Sequence, residues 1–425
     1  MKVLWLVNIV MPELAKNLEK ESTVFGGWLV GASKALLDKS IDLVICTTIS
    51  DTGRTNRYCI NGISYYISPA GNIADMQKEF REILDQEKPD IVHIYGTEFE
   101  HSLAMFREAD KNSTVVQIQG SMIYLKENVF AGIPYHICHD NLFHKILRML
   151  KKGGNSIELQ KNRYEKRAVY EEEILHNSKY VIGGSEWGNA VARSVNPKCE
   201  TFDCKLILRD SFYTEETWNI EKCEPYSIYV LHSYPIKGFH KFLEALKIVV
   251  GRYPEVKAYV VANKLQYRQF GKLKSLIMDA APDYDWYLQK LIDSYNLNKH
   301  IRFLGYLNET QVKERMLKSH VFVSPSAIEN QSTTLGEAMI LGVPSVASCV
   351  GAIQEMIHDG DDGFLYPFNE PYILANQIIR IFENKKLAKQ FSINGHLHAA
   401  ETYDKERNCA NLIKMYEYIS SKTMD

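Results

Sequence analysis

The sequence predicts an α/β protein with two doubly wound, Rossmann-like domains that face a cleft. Three observations favour this fold class: short apolar runs alternate with longer helical patterns, the apolar runs are nearly continuous, and the whole pattern restarts near residue 227. Continuous apolar strands separated by helices are typical of a parallel sheet that is covered on both faces. The length of 425 residues fits two or three domains.

The first half contains six apolar runs that predict strands. They are Val3–Asn8, Asp42–Thr47, Ile63–Ile67, Ile91–Tyr95, Val115–Ile118 and Tyr180–Gly183. Helical periodicity fills gaps between them, over Gly31–Leu37, Ala74–Leu84 and Ser102–Ala109.

The second half repeats this pattern after a polar stretch without periodicity. Its predicted strands are Ser227–Leu231, Lys257–Val261, Ile301–Leu304, Val321–Ser324, Ser345–Ala347 and Phe364–Tyr366. Helices are expected over Gly238–Val249, Asp285–Tyr295 and Glu309–Leu317. We therefore expect an N-terminal domain over residues 1–205, a linker over 206–226, a C-terminal domain over 227–404, and a helix over 405–425 that packs back on the first domain.

One segment, residues 141–152, carries an apolar stripe with basic residues beside it. It is either an interfacial helix that rests on anionic lipid, or a solvated helix whose stripe packs on its own domain. The first alternative would give the protein peripheral contact with a membrane.

Composition narrows the classes of function. The 50 basic and 52 acidic residues give a net charge of −2, which argues against a whole-surface nucleic-acid binder. The eight cysteines form no C-x-x-C pair and no zinc spacing, so we expect reduced core cysteines in a cytoplasmic protein. No apolar stretch approaches the length of a membrane span, so any membrane contact is expected to be peripheral, on the inner face.

The stretch from Ile328 to Glu355 is the most informative. It follows a predicted strand and opens a helix at Ser332, Thr333 and Thr334, and a helix start at this place is a ready site for an anion. Glu329 and Glu337 border the same place, where carboxylates suit the hydroxyl groups of a sugar or a ribose. The pattern indicates a nucleotide-sugar pocket, although Thr334 and Glu337 also fit a simple capping box.

Two further features lie between a strand and a helix. Lys237 stands at a helix start, where a lysine opposes the helix dipole unless an anion is bound, although it also fits a solvated lysine. Gly26 and Gly27 follow the first strand, and paired glycines allow a ligand to approach the backbone or form a plain turn.

Polar residues also end strands of the first domain. Four of them lie where an acceptor substrate would bind, namely His93, Glu98, His101 and Gln119. A structural role is the alternative for each of them. We expect no metal site, because the candidate ligands show no converging spacing.

These motifs together resemble the nucleotide-sugar glycosyltransferases of glycosyltransferase family 4, which have the two-domain GT-B fold. The resemblance rests on Glu329 and Glu337-Ala-Met with the following Gly-Val-Pro, on Lys237-Gly238 and on Gly26-Gly27. It implies retaining transfer of a hexose from a UDP- or GDP-linked sugar to a glycan or lipid-linked acceptor, without a metal or other cofactor. It further implies a place in the synthesis of a cell-surface polysaccharide.

The resemblance also assigns roles by position. Glu329 and Lys237 would be catalytic, with Glu329 on the donor sugar and Lys237 on the diphosphate. Glu337 would bind the ribose, and backbone near Tyr306 would meet the base. The remaining donor-binding residues would be Ser332, Thr333, Thr334, Leu335, Gly26 and Gly27.

Three positions depart from the family pattern. His232 replaces an arginine, Gln119 replaces a histidine, and Asn330-Gln331-Ser332 replaces Gly-Phe-Gly. Two alternatives stay open: another GT-B enzyme, such as a phosphorylase or a nucleotide-sugar epimerase, and a non-catalytic partner subunit that binds a nucleotide-sugar, which His232 and Gln119 support.

Overall fold

The structure is a computed structural model that describes residues 1–19, 26–149, 156–232, 234–263, 265 and 279–424. It divides into two compact units, and each has its own sheet. The first unit combines Met1–Ile123, Lys166–Asp210 and Thr402–Asp425, and the second combines Tyr124–Glu165 and Ser211–Glu401. Among the described residues, no helix is both long and apolar enough to span a bilayer.

The sheet of the first unit has the strand order β3-β4-β2-β1-β5-β6-β7-β8. Its strands are β1 (Lys2–Leu6), β2 (Asp42–Ile49), β3 (Asn56–Ile60), β4 (Ile63–Pro69), β5 (Ile91–Tyr95), β6 (Thr114–Gln117), β7 (Tyr180–Ile182) and β8 (Glu200–Phe202). All neighbours are parallel except β3 and β4, which form a hairpin.

The two edge strands, β3 and β8, were not predicted from the sequence. The turn between β3 and β4 is Asn61-Gly62, with φ of 52° and 82°. Asn-Gly between two strands is the strongest short hairpin signal, so β3 was recognisable from the sequence. The strand β8 has three residues and no fully buried side chain, so it leaves no apolar run.

The helices that flank this sheet bury both of its faces. They are α1 (Pro12–Asn17), α2 (Gly27–Asp38), α3 (Ile73–Glu87), α4 (Glu100–Glu108), α9 (Glu186–Val195) and the C-terminal α16 (Lys405–Met424). Successive residues of β1 alternate between two core clusters, with Trp5 in one and Leu4 in the other. Helix α16 contributes Tyr416, whose hydroxyl accepts a hydrogen bond from the Trp5 indole at 3.0 Å.

The sheet of the second unit has the order β11-β10-β9-β12-β13-β14 and is parallel throughout. Its strands are β9 (Ser227–Leu231), β10 (Lys257–Val261), β11 (Ile301–Phe303), β12 (Val321–Ser324), β13 (Ser345–Ser348) and β14 (Phe364–Tyr366). The prediction of two Rossmann-like α/β domains is therefore confirmed.

Helices cover this second sheet as well. They are α10 (Phe239–Arg252), α11 (Tyr284–Ser294), α12 (Glu309–Leu317), α13 (Thr333–Ile340), α14 (Pro371–Glu383) and α15 (Lys385–Thr402). The side chains of Tyr229, Phe239, Phe242 and Phe322 are fully buried in this unit.

Residues 124–165 group with the second unit, whereas the sequence places them in the first domain. They include α5 (Met122–Asn128), α6 (Tyr135–Cys138), α7 (Leu142–Met149) and the start of α8 (Ile157–Asn177). His240 Nε2 lies 2.7 Å from the carbonyl oxygen of Ala131, and His144 Nε2 lies 3.1 Å from that of Pro282. These contacts join parts of the chain that are more than 100 residues apart, which sequence periodicity does not reveal.

Candidate functional site

The order in which strands are added to the second sheet reverses between the neighbouring strands β9 and β12. The order runs through β10 and β11 on one side and through β13 and β14 on the other. Ligands of open α/β sheets bind beyond the carboxyl ends of the strands at such a switch point. Lys237 lies in the loop after β9, and Glu329 lies in the loop after β12, so both belong to this place.

The two loops are held closely together. Lys237 ends a short 3-10 helix, Pro235–Lys237, and Gly238 follows with φ of 68°. A Cβ atom at Gly238 would lie 1.7 Å from the carbonyl oxygen of Pro325, so only glycine fits there. The amide of Ala327 donates to the carbonyl oxygen of Ile236 at 2.7 Å, which fixes the second loop against the first.

Lys237 and Glu329 form an ion pair at the switch point. Their side chains are 28% and 12% exposed, and the hydroxyl of Ser326 donates to the same Glu329 carboxylate at 2.8 Å. Burial lowers the pKa of Lys237, because it disfavours the charged form. The carboxylate of Glu329 and, to a lesser extent, Tyr234 raise it by more, so the pKa of Lys237 lies above its ordinary value. The lysine is therefore a fixed positive charge at this edge of the sheet.

Helix α13 begins beside this pair. It starts at Thr333, and the hydroxyl of its N-cap Ser332 accepts a hydrogen bond from the amide of Leu335 at 3.4 Å. Glu337 is then the fifth helical residue and is buried. The capping box between Thr334 and Glu337 that the sequence allowed is not formed, because the N-cap is Ser332, two residues before Thr334.

Two further positions that were compared with the family, Tyr306 and His232, directly follow or lie close after strands of this sheet. Tyr306 follows the edge strand β11 and its side chain is largely exposed. His232, at the position of the family's arginine, ends β9 and is buried between Phe239 and Tyr284, with ring centroids 5.0 and 5.7 Å away. The imidazole thus packs into an aromatic cluster.

The switch point of the first sheet lies between β1 and β5. Gly26 and Gly27 begin α2 near the end of β1, and a Cβ atom at Gly27 would lie 2.4 Å from the side chain of Arg209. The group that closely approaches Gly27 is therefore the side chain of Arg209 and not a ligand. Gln119, at the position of the family's histidine, accepts a hydrogen bond from Asn8 at 3.1 Å.

His93 was predicted on the acceptor side, and the structure places it in the core of the first unit. Its side chain is fully buried, its Nδ1 lies 2.7 Å from the hydroxyl of Tyr416, and its ring stacks on Tyr95 at 3.8 Å. Burial lowers its pKa to about 3. These contacts fit the structural role that the sequence left open as the alternative for His93.

Glu98 and His101 do lie together at the carboxyl end of β5. Glu98 is buried, and no residue that the structure describes forms a hydrogen bond with its Oε2. The His101 ring stacks on Phe99 at 5.0 Å, and burial lowers the pKa of His101 to about 4. Within the described part of the chain, His101 Nε2 likewise lacks a hydrogen-bond partner, so this corner contains two buried polar atoms without partners.

Sequence reasoning missed Glu171, the second buried carboxyl group of this corner. It accepts hydrogen bonds from Thr97 at 2.8 Å, from Ser121 at 2.9 Å and from the amide of Ile123 at 3.1 Å. Burial raises its pKa to about 7, and burial together with Glu171 raises the pKa of Glu98 to about 8. Glu171 lies in the run Glu171-Glu172-Glu173, so nothing in the sequence distinguishes it.

The stability of the first unit should therefore depend on pH. Neutral Glu98 contributes stability that is complete below about pH 4.5 and is lost as the pH rises through about 8, because the unfolded chain ionises first. We expect the free energy of unfolding to fall by on the order of 3 kcal/mol over this window. Glu98→Gln should flatten the decline in urea unfolding measured from pH 5 to 8.5.

The matched control is Glu82→Gln, which removes an exposed carboxylate from α3 of the same unit. Its pH profile should run parallel to that of the wild type. A Glu98→Gln profile as steep as the wild-type profile would show that Glu98 is already ionised in the folded protein.

The structure also brings together three residues that spacing did not connect. His358, Asp362 and His398 place ligand atoms within 4.8 Å of one another, and they are the one such group in the described ranges. The spacing of these residues in the sequence did not predict that they meet.

Comparisons with known proteins agree with this architecture. Residues 214–398 match the family described as Glycosyl transferases group 1. Phosphatidyl-myo-inositol mannosyltransferase of Mycobacterium tuberculosis is 27% identical over 191 residues, which cover 44% of this chain and 45% of the relative. The chain thus matches about half the length of this relative.

Solved structures resemble the whole chain. Sucrose-phosphate synthase from Thermosynechococcus elongatus superposes with a TM-score of 0.72 at 16% identity and covers 99% of both chains. Anabaena HepE, in complex with UDP and glucose, superposes with a TM-score of 0.62 at 15% identity and covers 98% of this chain and all of its own. The expected resemblance is confirmed at the level of the fold: the chain has the GT-B fold, and its residues 214–398 match the glycosyl transferases group 1 family.

Proposed function

We propose that the protein is a retaining glycosyltransferase that moves a hexose from a nucleotide-sugar donor to a glycan or lipid-linked acceptor. The observation that carries this proposal is the Lys237–Glu329 ion pair beside the start of α13, at the switch point of a group 1 domain. We further propose UDP or GDP as the nucleotide.

The chemistry requires stabilisation of the leaving diphosphate. The ammonium of Lys237 and the backbone amides of Thr333–Leu335 would meet the developing negative charge in a poorly hydrated corner. The lysine would exchange the Glu329 carboxylate for phosphate, which releases Glu329 to bind hydroxyl groups of the sugar. Glu337 would bind the ribose. Attack from the face of the departing phosphate, which takes the acceptor's proton, retains the configuration.

Similar proteins support both the proposed donor and the proposed acceptor. The HepE structure contains UDP and glucose, and the mycobacterial relative is a mannosyltransferase named for a phosphatidyl-inositol acceptor. The buried carboxyl pair of Glu98 and Glu171 lies at the other unit's switch point, where we propose that the acceptor hydroxyl groups bind.

The direct test is a panel of nucleotides and nucleotide-sugars, scored by thermal shift and then by donor hydrolysis and transfer. A ligand at one hundred times its Kd should stabilise the protein by about 2.7 kcal/mol, which is readily detected. Absence of any shift would contradict the proposal. Turnover with free phosphate would indicate a phosphorylase instead, and binding without turnover would indicate a non-catalytic subunit.

We also propose that α7 gives the enzyme peripheral contact with a membrane. The apolar side chains that this helix exposes are those of Leu142, Phe143, Ile146 and Met149. The exposed fraction is 69% for Leu142 and 83% for Met149. Lys145 of the same helix is also exposed. Exposed apolar side chains beside basic ones are the features of an interfacial helix. Residues 150–152 of the predicted segment lie outside the described residues.

The variant Leu142→Ser/Met149→Ser should bind anionic vesicles at least roughly tenfold more weakly than the wild type, since it removes two apolar side chains that would enter the lipid. Co-sedimentation with phosphatidylglycerol vesicles measures this. Ile248→Ser, which removes an exposed isoleucine from α10, is the control and should bind as the wild type does. Equal binding by all three proteins would exclude α7 as the contact.

A further inference from the structure

A second cluster of polar side chains lies in the group 1 domain and includes none of the proposed donor residues. Asp362 belongs to the loop before β14, His358 precedes it by four residues, and His398 comes from α15. The Asp362 Oδ2 atom lies 3.0 Å from His358 Nδ1 and 2.7 Å from His398 Nδ1. Two imidazoles therefore converge on one carboxylate oxygen.

The carboxylate is held rigidly in this position. Asp362 is only 2% exposed, and its Oδ1 atom accepts a hydrogen bond from the backbone amide of His358 at 2.8 Å. The two imidazole rings stack at 4.5 Å with an interplanar angle of 16°. Oδ2 is thus directed at the histidines by the fold of the loop.

A buried carboxylate needs compensation for its charge, because burial of an unpaired ion is costly. Among the described residues, both ion-pair partners of Asp362 are histidines, which are neutral unless protonated. A divalent cation between the three groups would supply the missing positive charge at any pH at which the imidazoles are neutral.

The donor set and its spacing suit a transition metal. Imidazole nitrogen and carboxylate oxygen are zinc ligands, with metal–ligand distances of about 2.0–2.2 Å, so ligand atoms of a tetrahedral site lie about 3.4 Å apart. The present separations of 3.0 and 2.7 Å would have to widen by about 0.4 and 0.7 Å, and all three ligand atoms already lie within 4.8 Å of one another. His358 is 63% exposed, which provides a path for the ion.

We propose that His358, Asp362 and His398 bind one divalent transition-metal ion, with zinc the best fit, and leave a fourth position for water. Because the ligands come from the loop and from α15, the ion would fasten that loop to the helix. The hydrogen bond from Asn394 to Asp361, at 2.9 Å, already joins the same two elements. The metal would therefore add to a preformed contact, and this proposal does not depend on the proposed transferase activity.

The test measures metal binding to the full chain after treatment with EDTA. Zn²⁺ should bind with a stoichiometry of one and raise the Tm, and Co²⁺ should give the visible absorption of a nitrogen- and oxygen-ligated tetrahedral site. His358→Gln and His398→Gln should each weaken binding by at least roughly a hundredfold, because loss of a ligand exceeds the 10–100-fold effect of an outer-shell change.

The matched control is His136→Gln, which removes an exposed imidazole elsewhere in the same unit and should bind metal as the wild type does. Circular dichroism verifies that the variants are folded, and both substituted ligands are at least partly exposed, so the fold should tolerate them. Failure of the wild type to bind Zn²⁺ or Co²⁺ would overturn the proposal. Unchanged binding by both ligand variants, or a sulfur-to-cobalt charge-transfer band, would also overturn it.

Discussion

Lys237→Ala is expected to lower the rate of sugar transfer by roughly two to three orders of magnitude, the effect of removing one preorganised charge from a transition state. The ammonium group lies at the switch point beside the start of α13, where the leaving diphosphate would gain charge. The same variant should lose most of the thermal shift produced by the nucleotide. Steady-state transfer rates and nucleotide-dependent Tm values measure the two effects.

The control for this variant is Lys247→Ala, which removes an exposed lysine from α10 of the same unit. It should retain wild-type transfer. Because Glu329 keeps its hydrogen bond from Ser326 when the lysine is removed, the Tm of Lys237→Ala without ligand should fall by only a few degrees. Transfer within threefold of the wild type would show that Lys237 does not act on the donor.

Gly238→Ala should destabilise the protein by roughly 3–5 kcal/mol, at the upper end of single-residue effects. The residue has φ of 68°, and its Cβ atom would lie 1.7 Å from the carbonyl oxygen of Pro325. Backbone must move to relieve this overlap, and the moving segment carries Lys237. Urea unfolding should show the loss of stability, and nucleotide titration should show weaker binding.

Gly251→Ala is the matched substitution. This glycine lies near the end of α10, and apart from its chain neighbours and the backbone of its own helix no described atom comes within 4 Å of its added Cβ. Alanine favours a helix over glycine by about 0.5–1 kcal/mol, so this variant should be slightly more stable than the wild type. If the two alanine variants were equally stable, the close approach at Gly238 would not exist in solution.

The pattern of apolar residues along the sequence determined most of the architecture. The predicted apolar runs correspond to strands because a strand covered on both faces must be apolar throughout, as β9 and β12 are. The convergence of Lys237 with Glu329 was also foreseeable, because loops after neighbouring parallel strands emerge at the same edge. The edge strands β3 and β8 were missed because an edge strand does not need an unbroken apolar run.

The tertiary structure alone decided which polar residues meet. His93 follows the pattern of a functional histidine at a strand end, yet Tyr416, 323 residues later in the chain, places it in the core. Glu171 has neighbours of identical type, and only the helix orientation brings it to Thr97. His358, Asp362 and His398 converge because α15 packs beside a distant loop. Sequence periodicity reports which face of an element is buried, whereas these contacts depend on how the elements are arranged in space.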